Sequence, residues 1–298
     1  MYIPDFKYHS PETLEEALKV FGSNDSIAPI AGGTDLLVEI KQGVRHFENL
    51  VSLNNIPELK NISEDENYVY IGPCVTHSEI EESDIVRNNI PALAETVGFI
   101  GSHQIRNSGT IGGNVCTCAS CADTAPILIA YEADVEVSSA AESKRLPIAT
   151  FFLNHHQTML SKGELLTNII IPKPKPNTGV YFEKFGLRES ASISVASVAV
   201  SIIVKDKKII RTNIVVGACA STPKKCPSAM KVLVNADPRE LVKGSKTLSD
   251  IANAALKDIF PIDDIRGSAQ YRLDIVKTLI IKAVLNAFER SFSLNIVN

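Results

Sequence analysis

The segment SIAPIAGGTDLLVEIK, residues 26–41, decides the fold of the N-terminal part of the chain. Its first five residues are typical of a short buried strand, residues 36–41 of a helix, and AGGTD between them of a glycine turn. A strand, a turn and a helix start in this order direct main-chain N–H groups and the positive helix end at whatever lies above the turn. That arrangement suits phosphate, so the segment predicts an anion-binding turn.

A second glycine pair, Gly112/Gly113, lies in GFIGSHQIRNSGTIGGNVCTCASCAD, residues 98–123. This stretch has no periodicity, and so long an irregular segment inside a compact domain is usually functional. Glycine lets a backbone approach a ligand closely, and successive N–H groups can form a nest for an anion. Neither glycine pair belongs to a GxGxxG or Walker sequence, which disfavours a Rossmann or P-loop site. Each pair alone is equally compatible with a tight turn, but two in one domain favour a diphosphate ligand.

The domain boundary is predicted at PKPKPNTG, residues 172–179, because this proline-punctuated segment is typical of a connector. We therefore expect an N-terminal domain over residues 1–175 and a C-terminal domain over 176–290. In the C-terminal part, β-branched runs at 192–204 and 209–216 flank AspLysLys and predict a hairpin. Helical spacing follows at 248–256 and 272–287, which indicates an antiparallel sheet covered by helices.

Composition excludes several functional classes. The 298 residues carry a net charge of -4, so the chain offers no basic field for nucleic acid and no basic run for an anionic membrane surface. The longest apolar stretch is shorter than the ~18 residues that span a bilayer. The first 16 residues lack a basic region followed by an apolar one, so we expect no secretory signal and a cytoplasmic location. Six cysteines are too few for a disulfide framework at this length, and we expect reduced thiols.

Five ordered motifs closely resemble the flavoprotein subunit of the xanthine dehydrogenase and carbon monoxide dehydrogenase family. They are AGGTDL at 31–36, QIRN with TIGGN and Asp123 in the stretch 104–123, YFEK at 181–184 with Arg188, STP at 221–223, and DIRGSAQYR at 264–272. The resemblance covers essentially the whole chain. Within the family, the length and the stretch around CASCADTAP are most similar to bacterial three-subunit xanthine dehydrogenases.

This resemblance implies an α+β fold of the vanillyl-alcohol-oxidase type, in which two α+β subdomains, about residues 1–56 and 57–175, clasp FAD. A C-terminal α+β domain of the carbon monoxide dehydrogenase flavoprotein type follows. It also implies an electron-transfer subunit of a molybdenum hydroxylase. The expected partners are a molybdopterin-binding large subunit and a small [2Fe-2S] subunit, with NAD or another molecule as the electron acceptor.

The resemblance further implies the residues that hold FAD. The first loop, Pro29, Ile30, Ala31, Gly32, Gly33, Thr34, Asp35 and Leu36, would hold the diphosphate through its main-chain N–H groups. The second loop would contribute Thr110, Ile111, Gly112, Gly113, Asn114 and Thr117. Asp123 would bind the sugar or adenosine side, Ile100 and Ile193 would lie near the isoalloxazine ring, and Leu166 would pack near the cofactor. Lys184 would approach the pyrimidine edge of the flavin, where a positive charge favours the anionic reduced form.

Each of the isolated residues has a simpler structural interpretation. Lys184 and Arg188 are, by their position on a predicted strand, surface charges. Asp123 is compatible with a helix N-cap, and Ile100, Leu166 and Ile193 with core positions. The chain also departs from the family at Ser190, Ala191 and Ser192, where many relatives carry an acidic residue, and this departure puts the usual handling of nicotinamide in question.

Cys116, Cys118 and Cys121 admit two interpretations. Three thiolates at this spacing, with Cys74 as a conceivable fourth, could ligate zinc or an iron–sulfur cluster. The alternative, which we favour, is that they are small residues of the flavin loop, since buried thiols are common. We therefore expect no metal on this chain.

Three functional hypotheses follow from the sequence. The first is the electron-transfer flavoprotein subunit. The second is a free-standing FAD-dependent oxidase or reductase of the same fold, which the lack of a dedicated His/Tyr/Glu constellation disfavours. The third is an interaction module without a cofactor, which the two intact glycine loops disfavour.

Overall fold

A computed structural model describes residues 3–23, 26–188 and 191–293 of the chain. The first unit holds a parallel three-stranded sheet in the order β1-β3-β2. Its elements are β1 Lys7–His9, α1 Leu14–Ser23, β2 Ile27–Ile30, α2 Leu36–Lys41 and β3 Asn49–Ser52. The strand, turn and helix predicted at residues 26–41 are confirmed as β2, a loop and α2.

The second unit is a five-stranded antiparallel sheet with helices between its strands. It begins with β4 Ile62–Glu64 and β5 Tyr68–Ile71, and continues with the helices α3 His77–Glu82, α4 Asp84–Asn89, α5 Pro91–Gly98, α6 His103–Ser108, α7 Ile111–Thr117 and α8 Thr124–Ala130. The elements β6 Asp134–Ser138, β7 Ser143–Pro147, α9 Ile148–Phe151, β8 Phe152–Asn154, β9 Gln157–Thr158 and β10 Leu165–Pro172 complete it. The sheet order is β4-β5-β10-β6-β7, while β8 and β9 form a separate small hairpin. A 3-10 turn, Pro57–Lys60, leads into this unit.

The third unit is an antiparallel sheet in the order β11-β12-β13-β14 with helices packed on it. It contains β11 Thr178–Gly186, β12 Ser194–Lys205, β13 Lys208–Gly217, β14 Lys224–Lys225, α10 Pro227–Val234, a 3-10 turn at Pro238–Glu240, α11 Lys246–Ala255 and α12 Ala269–Ser293. The predicted hairpin is confirmed, and its turn residues Asp206 and Lys207 both have positive φ, as in a type I′ turn. The chain passes from the second sheet to this one between Pro172 and Thr178. The α+β class is confirmed by these sheets.

The sequence of β12 does not alternate apolar with polar residues, because both faces of the strand are buried. One set of its side chains, including Val198 and Val200, packs in a core shared with α12, whereas Ala199 belongs to the core of the second unit. A strand that is buried on both faces does not alternate apolar with charged residues, and the three serines of β12, Ser194, Ser197 and Ser201, are small and buried as well. Gly217 on β13 permits this close packing, because a Cβ there would lie 2.7 Å from the Pro126 ring of α8. The C-terminal sheet is therefore held firmly against the second unit.

The stretch 98–123, predicted to be irregular, contains two short helices instead, and that prediction is wrong. Ser102 caps α6 by accepting from the Ile105 N–H at 3.3 Å, and Thr110 caps α7 by accepting from the Gly113 N–H at 3.1 Å. The helices have six and seven residues, too few for an apolar repeat to show in the sequence. Caps and tertiary contacts therefore stabilise them.

None of the helices in the described ranges combines the length and apolar character needed to cross a membrane.

Candidate functional site

A cavity of about 490 Å³ lies between the first and second units. Its walls come from the loop after β2, the segment before α3, the start of α7 and the segment before β10. Most of the residues predicted to bind the cofactor line it: Pro29, Ile30, Ala31, Gly32, Gly33, Thr34, Asp35, Leu36, Ile100, Thr110, Gly112, Gly113, Asn114, Thr117 and Leu166. Its volume falls within the usual range of small-molecule sites, ~300–1,000 Å³. Ile111, Asp123, Lys184 and Ile193 do not line it.

The first glycine loop, residues 31–35, presents unpaired main-chain donors to this cavity. The N–H groups of residues 32–36 meet no hydrogen-bond acceptor among the described residues. Asp35 precedes α2, and its side chain makes no capping bond to these N–H groups. Four of these five residues are half-buried and Asp35 is exposed; half-buried N–H groups without an acceptor are costly, so the run is suited to an anionic ligand.

Glycine is required in this loop for two separate reasons. Gly33 has φ +68°, a left-handed conformation that L residues rarely adopt. A Cβ on Gly32 would overlap the carbonyl oxygen of Ser108, which ends α6. The first loop thus packs directly against the backbone that leads into the second.

The second glycine loop has its donors already paired within the protein. The N–H groups of Ile111 and Gly112 donate to the carbonyls of Val75 and Pro73 at 3.0 and 2.9 Å. Those of Gly113 and Asn114 donate to the hydroxyl and the carbonyl of Thr110. The start of α7 therefore provides the cavity with side chains and with a backbone that a ligand can approach closely. It does not provide unpaired N–H groups. The Ile111 side chain itself lies in the core.

His77 also lines the cavity, although it belongs to none of the motifs that predict the site. Its imidazole is only 2% exposed, and Nδ1 is buried without a hydrogen-bond partner. Burial, together with the nearby Arg106 guanidinium, lowers the pKa of the ring to about 4, so the ring is neutral at physiological pH. Thr76 and Glu79 form a capping box at the start of α3, which explains the helix but not the histidine.

Asp123 and Lys184 contact each other beside the cavity. Lys184 Nζ donates to Asp123 Oδ2 at 2.6 Å and to the Phe99 carbonyl at 3.1 Å, while the Ser194 hydroxyl donates to Asp123 Oδ1. Burial raises the pKa of the Asp123 carboxyl, and the positive charge of Lys184 opposes that rise. Both oxygens of Asp123 are engaged, so the predicted sugar contact needs an oxygen that already has a partner. That contact and the flavin contact of Lys184 stay predictions.

The remaining predicted residues divide between the cavity wall and the surface. Ile100 and Leu166 line the cavity together with Leu160 and Leu165, and form an apolar part of its wall. Ile193 is 59% exposed and lies one residue after Ser192, whose carbonyl accepts from Lys184. Arg188 bonds the Ala191 carbonyl at the surface. Of the three residues at which the chain departs from the family, Ser190 lies outside the described residues.

The three clustered cysteines point in different directions. Cys116 lines the cavity, and burial raises the pKa of its thiol to about 12. Cys118 donates to the carbonyls of Asn154 and Gln157, which requires a protonated thiol. Burial raises the pKa of Cys121, and the adjacent Arg266 opposes that rise. Within the described ranges, no three His, Cys, Asp or Glu side chains are placed to share a metal ion.

The lining residues fit FAD. The first loop is a glycine cradle with unpaired donors, suited to a diphosphate. Ile100, Leu160 and Leu166 supply an apolar wall suited to a ring system. His77 adds a polar atom that no protein group satisfies.

Comparison with known proteins agrees with this geometry. The profile of the FAD binding domain in molybdopterin dehydrogenase matches residues 4–174, and that of the CO dehydrogenase flavoprotein C-terminal domain matches residues 181–287. The glyceraldehyde dehydrogenase medium chain of Sulfolobus acidocaldarius is 33% identical over 95% of this chain and 98% of its own length. The putative xanthine dehydrogenase FAD-binding subunit of Escherichia coli K12 is 29% identical over 94% of this chain and 95% of its own.

A solved structure extends the agreement to the whole fold. A chain of the carbon monoxide dehydrogenase from Hydrogenophaga pseudoflava superposes with a TM-score of 0.92 at 28% identity. The superposition covers 97% of the present chain and 99% of the other.

Proposed function

The chain belongs to the family of FAD-binding subunits of the molybdopterin dehydrogenases, and from this premise we propose that it transfers electrons within a molybdenum hydroxylase. In this role it receives electrons from a small [2Fe-2S] subunit and passes them to NAD or another acceptor. The observation that carries the proposal is the run of unpaired N–H groups at residues 32–36 on the wall of a cavity of suitable size. When bound there, FAD accepts electrons singly or in pairs and releases them to an acceptor.

The residues of this chain have distinct tasks in the proposal. The N–H groups of residues 32–36 bind the diphosphate, and their fixed geometry avoids an ordering cost when the cofactor enters. Ile100 and Leu166 exclude water from one part of the cavity. Lys184 places a positive charge near that part, and Asp123 fixes its position through the 2.6 Å ion pair. Together these residues hold the cofactor and tune it, and no step on an organic substrate falls to them.

The substrate of the complex belongs to a partner chain in this proposal. The relatives are named for substrates as different as glyceraldehyde, xanthine and carbon monoxide, although they share this fold. We propose a molybdopterin-binding large subunit as the site of hydroxylation, with a purine such as xanthine as the substrate class. None of the six cysteines, all within the described residues, forms a disulfide, which supports a cytoplasmic location.

Cofactor selectivity of the purified chain tests the first part of the proposal. The chain is incubated with FAD or with riboflavin, which lacks the diphosphate, and is then desalted before its visible absorbance is recorded. We expect FAD to be retained and riboflavin to be lost, because the N–H cradle recognises the diphosphate. A chain that stays colourless with FAD would contradict the proposal.

Purification of the native assembly tests the second part. An affinity tag on this chain should recover two further subunits together with molybdenum and iron, and addition of the substrate should bleach the flavin absorbance. Recovery of a metal-free chain that alone oxidises a small molecule would instead identify a free-standing flavin enzyme.

A further inference from the structure

We propose that His77 is a cofactor-binding residue, whose ring supplies a hydrogen-bonding nitrogen to FAD at the junction of the two glycine loops. The proposal rests on FAD occupying the cavity described above. It adds a residue that lies outside both glycine loops and outside every motif that carries the family resemblance.

The backbone fixes His77 at this junction. Thr76 and Thr110 form an antiparallel bridge, and the His77 N–H donates to the Gly109 carbonyl at 3.0 Å. This pairing continues through Gly112, whose N–H donates to Pro73. Residues 73–77 therefore run alongside the start of α7, so the backbone fixes the position of the His77 Cα beside both loops.

The ring lies where the two loops meet. A Cβ on Gly109 would have His77 Cδ2 at 3.4 Å and Thr34 Oγ1 at 3.5 Å as neighbours. Thr34 belongs to the first loop and His77 is the first residue of α3, and both residues line the cavity. His77 thus approaches the same space as the unpaired N–H groups of residues 32–36.

The protein leaves the polar atoms of this ring unused. No hydrogen bond joins the imidazole to any described residue, although the ring is almost entirely buried. The hydroxyls of its two sequence neighbours have other partners: Thr76 bonds Glu79, and Ser78 bonds Asn107. A buried imidazole without partners destabilises the protein that carries it, so a structural role gives no reason for a histidine here.

Nδ1 is sealed within the protein, so a ligand in the cavity would bond the other ring nitrogen, Nε2, which also has no partner among the described residues. Because the ring is neutral, it carries one N–H and one lone pair and can pair with a phosphate oxygen or a ribityl hydroxyl. Arg106, which lowers the pKa of the ring, is itself held by Glu81 at 3.1 Å and by the Ile100 carbonyl. The histidine is thus free to bond the cofactor, whereas this arginine is engaged.

Substitution of His77 separates a ligand from a structural residue, because the two roles predict opposite effects on the cofactor-free protein. In His77→Leu we expect the melting temperature of the apoprotein to stay equal or rise, since an unpaired buried polar group is removed. The Kd for FAD, followed by flavin fluorescence, should rise by about tenfold or more, the loss expected for a hydrogen bond to a charged group. His77→Gln, which retains a donor and an acceptor, should recover part of the affinity.

An exposed histidine provides the matched control. His103 lies on the surface of α6, and His103→Gln should change neither the melting temperature nor the Kd. The ¹⁵N imidazole signals of the wild-type chain, with the His77 signal assigned by its absence in His77→Gln, should show that signal shifting when FAD is added. ADP then locates the contact, because it shifts the signal only if the ring meets the diphosphate half.

Three outcomes would overturn the proposal. They are an apoprotein destabilised by His77→Leu with unchanged FAD affinity, equal losses for Leu and Gln, or the failure of both variants to fold. If the wild-type chain retains FAD and one of these results is obtained, only the role of His77 is refuted. If the wild-type chain does not bind FAD, the proposed function itself is refuted.

Discussion

The two glycine pairs of this protein have the same sequence and opposite hydrogen-bonding states. At Gly32/Gly33 the N–H groups of residues 32–36 have no acceptor in the described chain, whereas at Gly112/Gly113 the equivalent groups are paired with Pro73, Val75 and Thr110. The reason is tertiary, since residues 73–77 offer carbonyl acceptors to the second pair, whereas the first pair packs against the Ser108 carbonyl without donating to it. The first loop is therefore a recognition element, and the second is a packed support that brings side chains to the cavity.

Gly32→Ala should have the largest effect, because it damages both loops at once. A methyl group there overlaps the Ser108 carbonyl, and backbone atoms on one side or the other must move. Displacement of the cradle loses one or more bonds to a charged diphosphate, so we expect the Kd for FAD to rise by about 100-fold. Fluorescence titration with FAD measures this change, and a melting curve of the apoprotein should show a lower midpoint.

Gly22→Ala is the matched control for this variant. Gly22 lies within α1, and a Cβ there meets nothing within 4 Å. FAD affinity should be unchanged. Normal FAD binding by Gly32→Ala would mean that the first loop can move away from Ser108 without losing the ligand. The first loop would then not be the recognition element for FAD.

Gly112→Ala should act mainly on stability. A Cβ at this position collides with the Pro73 ring and lies 2.6 Å from the Pro73 carbonyl oxygen, the acceptor of the Gly112 N–H. Overpacking of this kind lowers the free energy of unfolding by about 1–3 kcal/mol. Urea denaturation of the apoprotein measures the loss, again beside Gly22→Ala. Because the cradle itself is untouched, we expect FAD affinity to fall by less than in Gly32→Ala; the reverse order would show that the second loop is the principal anion site.

Some parts of the fold and of the site could be predicted from the sequence, and others could not. The strand, turn and helix at residues 26–41 and the hairpin at Asp206 were predictable because local patterns decide them. The helices α6 and α7 were not, because both are short and because contacts with residues 73–77 complete the start of α7. His77 carries no pattern of its own, and its significance depends on an unpaired atom in a cavity. The contact between Lys184 and Asp123 joins residues 61 apart in sequence, which no local pattern predicts.

Gly113→Ala should have the smallest effect on stability, and it tests whether the ligand contacts α7. Gly113 is exposed on α7, and among the described residues a Cβ there would meet Thr110 Oγ1 alone, at 2.9 Å. Alanine stabilises a helix relative to glycine by about 1 kcal/mol, while disturbance of the Thr110 cap costs about the same. We therefore expect urea denaturation to show a net change near zero.

The FAD affinity of Gly113→Ala then reports what the cavity holds at this point. The methyl group meets the Thr110 hydroxyl, and both residues line the cavity, so a rise in Kd would come from a ligand that lies against Gly113 or Thr110. We expect such a rise, smaller than in Gly32→Ala, because the second loop contributes close approach and not charge-assisted bonds. An unchanged Kd would mean that the cofactor does not reach α7. The glycine pair in the second loop would then serve packing alone, and the recognition of FAD would fall entirely to the first loop and His77.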